Sequence, residues 1–206
     1  MTLRKFSRYR CRKRDRSNAL QRAVAAAAVL LLSACMLNSR ATPPASTEYE
    51  VKAAYLLNFG RFVRWPGARA VASGQTFPVC VMGEDPFGAI LDATVRDEKI
   101  ENLAVIASRV STPQEASGCK ILFLSRSEQG QARKTMAALK NAGVLTVSDM
   151  PDFLERGGII QFVIRGNKVR FEVNLDNAQE AGLTLSSDLL KVADAVHGKR
   201  SGGGGR

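Results

Sequence analysis

The chain has 206 residues, 30 of them Lys or Arg against 19 Asp or Glu, for a formal net charge of +11. That length suits one domain with appendages, and a basic excess of this size ordinarily points to nucleic acid or an anionic membrane. The placement of the charge excludes nucleic acid. Residues 1–34 hold nine basic residues and one acid, Asp15, whereas from Cys35 onward 21 basic residues face 18 acidic ones, a net of +3.

The basic block is followed by an apolar run, Ala23–Ala34, shorter than the ~20 residues a membrane-spanning helix needs. Basic, then apolar, then small residues is the order of an export signal. Leu32-Ser33-Ala34-Cys35 has the form of a lipobox, in which Cys35 is lipidated and becomes the mature N-terminus. Cleavage after Ser39-Arg40-Ala41, which discards Cys35, fits the same stretch. Either route makes residues 1–41 signal and cleavage region. The basic segment is long for a signal, which leaves room for a later start codon. Residues 42–46, with Pro43-Pro44, form a linker to a domain over 47–198.

Thr47–Val63 is the clearest helix. Thr47 and Glu50 have capping-box spacing, and Val51, Ala54, Tyr55, Asn58, Phe59, Phe62 and Val63 recur every three or four residues as one apolar face. Asn58 on that face is expected as a buried amide bonded to nearby backbone. Trp65-Pro66-Gly67 ends the helix.

Strands and helices then alternate. Phe77–Met82 is an apolar strand, and a helix over Phe87–Val95 follows, with Asp85 as its cap and Pro86 as its first residue. Leu103–Ile106 is a second strand. Thr112-Pro113-Gln114-Glu115 starts a brief helix, and Lys120–Leu124 is a third strand. Ser127–Ala142 reads as a helix stopped by Gly143, Val144–Val147 as a fourth strand, and Asp152–Glu155 as a short helical turn.

The stretch from Gly157 to Asn174 reads as a β-hairpin. Val169, Phe171 and Val173 alternate with polar residues, and Gly166-Asn167 is a two-residue hairpin loop. Gly182 stops a helix and Ser186 or Ser187 starts another. The pattern implies an α/β fold, a largely parallel sheet with helices on both faces and the C-terminal hairpin as an antiparallel edge. The tail 199–206, KRSGGGGR, is low-complexity and expected to be disordered.

Export gives the cysteines their meaning. Cys11 and Cys35 belong to the signal region, which leaves Cys80 and Cys119 in an oxidising compartment, where two cysteines read as one disulfide. Closing a loop of roughly 40 residues is worth about 4 kcal/mol in the chain-entropy treatment. Metal binding needs more ligands, and the single histidine, His197, lies near the C-terminus.

Candidate chemistry is sparse. Gly83-Glu84-Asp85-Pro86-Phe87-Gly88 leaves a strand and enters a helix, the place where α/β folds bind ligands and helix amides favour anions. No dinucleotide fingerprint or P-loop accompanies it, and Glu84 and Asp85 repel phosphate. A structural cap is the favoured reading, with ligand binding at Gly83, Glu84, Asp85 and Gly88 as the weaker one. Glu84, Asp85 and Asp92 as paired carboxylates for hydrolysis is weaker again. Gly157-Gly158 is a tight turn into the hairpin. No serine has a G-x-S-x-G context, and His197 is poorly placed as a base. Neither an enzyme nor a cofactor is indicated.

GGIIQFVIRGNKVRFEVNLDNAQEAGLTLSSDLLKVA, over 157–193, resembles the C-terminal signature of the YfiR family of exported repressors. EYEVKAAYLLNFGRFVRWP, with Asn58, Phe59, Trp65 and Pro66, is similar to the family's other signature, and VCVMGEDPFG and CKILFLS match its middle. The resemblance spans roughly residues 48–196. It implies a periplasmic, non-catalytic α/β protein, usually a homodimer, without a cofactor. The implied partner is the periplasmic region of an inner-membrane diguanylate cyclase, held inactive until envelope stress, thiol balance or capture by an outer-membrane lipoprotein relieves repression. Cys80 and Cys119 sit where the family's stabilising disulfide would be. Two features depart from the pattern. A second cysteine pair late in the domain, which some relatives have, is missing, and a lipidated Cys35 would tether the protein, whereas the familiar repressor of the family is soluble. A small-ligand binding module is the competing reading of the same domain.

Overall fold

The longest element is a helix over Ala45–Phe62 (α1). The computed structural model describes residues 45–65 and 76–198, within one unit, Pro43–Arg206. The export signal, the Leu32–Cys35 lipobox, most of the linker, Pro66 and the tail lie outside the described residues.

α1 departs from expectation at its start and in its orientation. It is already helical at Ala45, so Thr47 lies inside the first turn and is not the N-cap. Alanine is the strongest helix former, and extending through it removes the need for a cap at Thr47. The buried stripe is Lys52, Ala53, Leu56, Leu57, Phe59 and Val63, while Val51 and Phe62 are 40% and 41% exposed. Asn58 is exposed, its Oδ1 accepting from Arg61 Nη1 at 3.0 Å, so the expected buried amide is corrected. The helix is turned so that Gly60 faces the sheet. A Cβ there would meet Phe77 Cζ at 3.0 Å, so the missing side chain sets how closely α1 seats.

The strands are Val63–Arg64 (β1), Thr76–Met82 (β2), Lys99–Ile100 (β3), Leu103–Val110 (β4), Ile121–Leu124 (β5), Leu145–Ser148 (β6), Ile160–Arg165 (β7), Lys168–Asn174 (β8), Thr184–Leu185 (β9) and Ala195–His197 (β10). Eight of them form one sheet in the order β10-β8-β7-β6-β5-β2-β4-β3, and β1 and β9 pair separately. Pairings β2–β4, β2–β5, β5–β6, β6–β7 and β8–β10 are parallel. β3–β4 and β7–β8 are antiparallel, with Arg165 opposite Lys168 across the Gly166-Asn167 turn. β7 and β8 are not the edge of the sheet: β10 returns and pairs outside β8, Ala195 with Glu172. The mixed, mostly parallel sheet therefore ends on a three-residue strand too short to show a period in the sequence.

The remaining helices are Ala89–Val95 (α2), Pro113–Ala116 (α3), Ala132–Ala138 (α4), Leu175–Glu180 (α5) and Ser187–Val192 (α6), with 3-10 turns at Arg126–Glu128 and Leu154–Arg156. Strand alternation sorts the core into two faces. Phe77, Val79 and Val81 of β2 and Ile121 and Phe123 of β5 pack with α1, α2, α5 and α6. Cys80 and Met82, with Leu122 and Leu124, pack with α3 and α4 on the other face. Phe59 joins the first face to the hairpin, its ring 5.0 Å from Phe171 and 5.9 Å from Phe162. Each aromatic ring buried this fully contributes roughly 1.5–3 kcal/mol.

Caps explain several boundaries. Thr112 accepts from Glu115 N and Ser186 from Leu189 N, as their spacing predicts. α2 differs: it begins at Ala89 behind Gly88, and Asp85 Oδ1 instead accepts from Phe87 N at 2.8 Å. Asp85 and Pro86 thus build a turn ahead of the helix. The helix expected over Ser127–Ala142 is divided into a 3-10 turn and the shorter α4, with Gly130, a residue with a large helix-ordering entropy, between them. On the α3/α4 face Cys80 and Cys119 are disulfide-bonded, with Cα atoms 6.1 Å apart.

Candidate functional site

The chain leaves β2 toward β4 but leaves β5 toward β6, so connections diverge above the adjacent carboxyl ends of β2 and β5. An open α/β sheet has its ligand crevice at such a reversal. Gly83–Gly88 follows β2 there, as expected from the sequence, and the Glu84 amide, the Asp85 carboxylate and the Gly88 carbonyl are engaged by neighbours in the chain. Glu84 N donates to Ser127 Oγ at 2.9 Å, tying the loop after β2 to the loop after β5.

Arg109, near the end of β4, holds the loop from the other side. Its Nε donates to Asp85 Oδ2, its Nη2 to the Gly88 carbonyl, and its two Nη groups form a fork on Asp92, all at 2.7–2.8 Å. The hydrogen bond from Arg109 lowers the Asp92 carboxyl below its ordinary value. Asp85 and Asp92, considered from the sequence as a hydrolytic pair with Glu84, are therefore bridged by one guanidinium. Glu84 itself is exposed. A retained proton on one acid is what such a pair requires, and Arg109 favours ionisation of Asp92.

A second charged centre, absent from the sequence-based candidates, lies at the end of β6. Asp149 follows that strand directly, and its side chain is 3% exposed. Lys52 of α1, 1% exposed, donates to Asp149 Oδ2 at 2.5 Å, and Tyr49 Oη donates to the same oxygen at 2.9 Å. Arg126 Nε reaches Oδ1 at 3.1 Å. Glu48, one turn before Lys52, completes a balanced set of two cations and two anions. The Lys52 ammonium also lies 4.3 Å from the centre of the Tyr49 ring.

The electrostatics follow from these partners. Burial by itself would raise the Asp149 carboxyl, but the Lys52 hydrogen bond and charge, the Arg126 charge and the Tyr49 hydroxyl together hold it below the carboxylate range. Burial first, then the charge and hydrogen bond of Asp149, push the Tyr49 phenol well above its usual value. Asp149 is therefore ionised and Tyr49 neutral throughout the physiological range, and neither is poised to exchange a proton. The centre fastens the amino-terminal turns of α1 over the strand ends. Phe87 fills the adjacent space, its ring 4.8 Å from Phe123 and 5.3 Å from Tyr49.

Lysine in an amphipathic pattern ordinarily belongs to the solvent side, so Lys52 was hidden from sequence reasoning. The signal that finds it is its position in the i, i+4, i+7 series with Leu56 and Phe59, once that series rather than Val51-Tyr55-Asn58 is taken as the buried stripe. Other expected residues have structural partners. Trp65 Nε1 donates to the Gly143 carbonyl at 2.8 Å, and His197 is exposed beside Glu172 at 3.3 Å. Among the described residues no group of three or more His, Cys, Asp and Glu side chains is arranged to hold a metal. Nor is any described helix long and apolar enough to cross a membrane.

Among solved structures, the chain is similar to the ABC domain in complex with L-Trp from Streptococcus pneumonia, with 11% identity and a TM-score of 0.48 over 70% of this chain. A conserved domain protein from Vibrio cholerae matches at 9% identity and a TM-score of 0.45 over 60% of this chain. The chain spans 60% and 56% of the lengths of those two proteins. A family model described as YfiR/HmsC-like matches residues 49–194, most of the chain and both charged centres apart from Glu48. The chain therefore belongs to the YfiR/HmsC-like family.

Proposed function

We propose that this protein is a periplasmic repressor that binds the periplasmic region of an inner-membrane diguanylate cyclase and holds it inactive, restraining cyclic di-GMP and biofilm formation. The observation that carries this reading is the family match over residues 49–194. The strand-end centres support it, because Arg109 and Lys52 are committed to carboxylates of the same chain, which suits recognition by an outer surface. In this reading residues 1–41 direct export. Cys35 is either lipidated, tethering the protein, or removed with the signal. The repressor acts as a homodimer, and an outer-membrane lipoprotein that captures it relieves repression. Deleting the gene in a strain that carries a candidate cyclase raises cyclic di-GMP, and restoring the protein lowers it again. Unchanged cyclic di-GMP in both strains refutes the proposal.

A second reading, a small-ligand binding module, draws on the location of Gly83, Glu84, Asp85 and Gly88 at the chain reversal. A ligand there must displace the Arg109 contacts to Asp85 and Gly88. It would raise the melting temperature in proportion to ln(1 + [L]/Kd). A metabolite panel that produces no rise removes this reading.

A further inference from the structure

Near the amino ends of the interior strands β6 and β7, away from the carboxyl strand ends, a cleft of about 350 Å³ opens between α4, the Leu154–Arg156 turn and α5. That volume suits one small organic molecule. Its floor is apolar, with Met136, Leu139 and Ile159 each more than nine-tenths buried. Its walls carry the cations Arg133, Lys140 and Arg156. Lys140 is matched by Glu180 at 3.2 Å. Arg133 and Arg156 have no carboxylate within ion-pair distance among the described residues.

Arg156 is the unusual member. Its Nε is buried without a hydrogen-bond partner, and its Nη1 reaches only the Gln129 carbonyl, at 3.4 Å. Asn177 on the same wall spends its side-chain N–H groups on the Leu154 and Gly158 carbonyls, at 2.9 and 2.6 Å. Buried donors nearly always have acceptors, and one left without is the unfavourable case in hydrogen-bond energetics. The backbone holds Arg156 in place. Gly157 caps its turn at φ 99°, and a Cβ on Gly158 would collide with the Phe153 ring.

We propose that this cleft binds a small organic monocarboxylate, with Arg156 as its anchor and Arg133 beside it. The apolar body of the ligand lies on Met136, Leu139 and Ile159. A guanidinium presents Nε–H and Nη–H as a fork that matches two carboxylate oxygens. A turn of the Arg156 side chain brings that edge to the cleft, and the ligand supplies the acceptor that Nε lacks. Glu155, exposed on the rim, repels a second negative charge and so selects a monocarboxylate over phosphate. The site is independent of the cyclase reading and is tested on the isolated protein.

The test titrates sodium benzoate into the oxidised protein by calorimetry at constant ionic strength, with sodium phosphate and sodium chloride as comparison salts. Benzoate binds saturably at one site and raises the melting temperature, and phosphate and chloride do neither. Arg156→Gln and Arg133→Gln each weaken benzoate binding about tenfold or more, the effect of losing a charge-assisted hydrogen bond. Should Arg156→Gln fail to fold, Arg133→Gln, at an exposed position, carries the comparison. Absence of saturable benzoate binding to the folded wild type overturns the proposal. Equal binding of phosphate, or undiminished affinity in the folded variants, overturns it as well.

Discussion

Replacing Lys52 by methionine removes the cation from a buried pair while keeping most of the side-chain volume. Asp149 then remains 3% exposed without its nearest counter-charge. Breaking a buried pair from one side typically costs about 3–5 kcal/mol, because the surviving charge is left in a medium that solvates it poorly. Arg126 and Tyr49 still contact Asp149, which places Lys52→Met at the lower end, about 3 kcal/mol at neutral pH. In a domain of this size that corresponds to a fall in melting temperature of about 6–12 °C. The pH dependence separates a charge effect from a packing defect. The carboxyl of Asp149 is lowered in the folded protein. Its contribution is therefore complete above the unfolded carboxylate value, about 3.9, and is lost as pH falls through the lower folded value. In the variant, burial acts on Asp149 without Lys52 to oppose it, and protonation relieves the buried charge. The stability gap between wild type and variant is thus largest near neutral pH and narrows toward about pH 4. Urea denaturation at a series of pH values reads this directly. A loss below about 1 kcal/mol at neutral pH, or a gap that stays constant down to acid pH, refutes the buried-pair reasoning.

Cys80→Ser and Cys119→Ser should lower stability equally, by about 4 kcal/mol for a sequence separation of 39, and the double variant should add nothing further. Additive losses by urea denaturation would show that the two cysteines act separately. Gly158→Ala should cost about 1–3 kcal/mol, because the new methyl group enters the space of the fully buried Phe153 ring. A thermal midpoint like that of the wild type would contradict this placement. Ser186→Ala should cost about 1 kcal/mol as loss of an N-cap, whereas Thr47→Ala, inside α1, should change stability by less than about 0.5 kcal/mol. Equal losses for the two would restore Thr47 as a cap.

Local chemistry carries its own signature, and the elements it governs were legible. β2 and β5 are short apolar runs, Thr112 and Ser186 cap where spacing places them, and Gly166-Asn167 marks the turn between β7 and β8. The disulfide was legible because reading residues 1–41 as an export signal set the other two cysteines aside. Elements created by tertiary pairing were not. β3, β9 and β10 span two or three residues each, too few for any period to register. β10 in particular takes the sheet edge from the hairpin by pairing with β8. The seat of α1 was misjudged for a related reason. Tyr55, Phe59, Phe62 and Val63 trace a convincing stripe, yet the true stripe runs through Lys52 and Gly60. Neither residue looks buried from its type. Lys52 becomes tolerable there through Glu48 one turn before it and Asp149, 97 residues later, and Gly60 only because Phe77 and Ile100 come close to its backbone. The same distance effect applies to Arg109, which joins Asp85, Gly88 and Asp92 from a separate strand.

Repression by contact is tested most directly by capture of its partner. Tagged, oxidised mature protein is passed over detergent-solubilised inner membranes, and retained proteins are identified by mass spectrometry. Recovery of a diguanylate cyclase, lost when its periplasmic region is deleted, is the predicted result. Recovery of only a different membrane sensor, or an empty eluate from folded and oxidised protein, contradicts it.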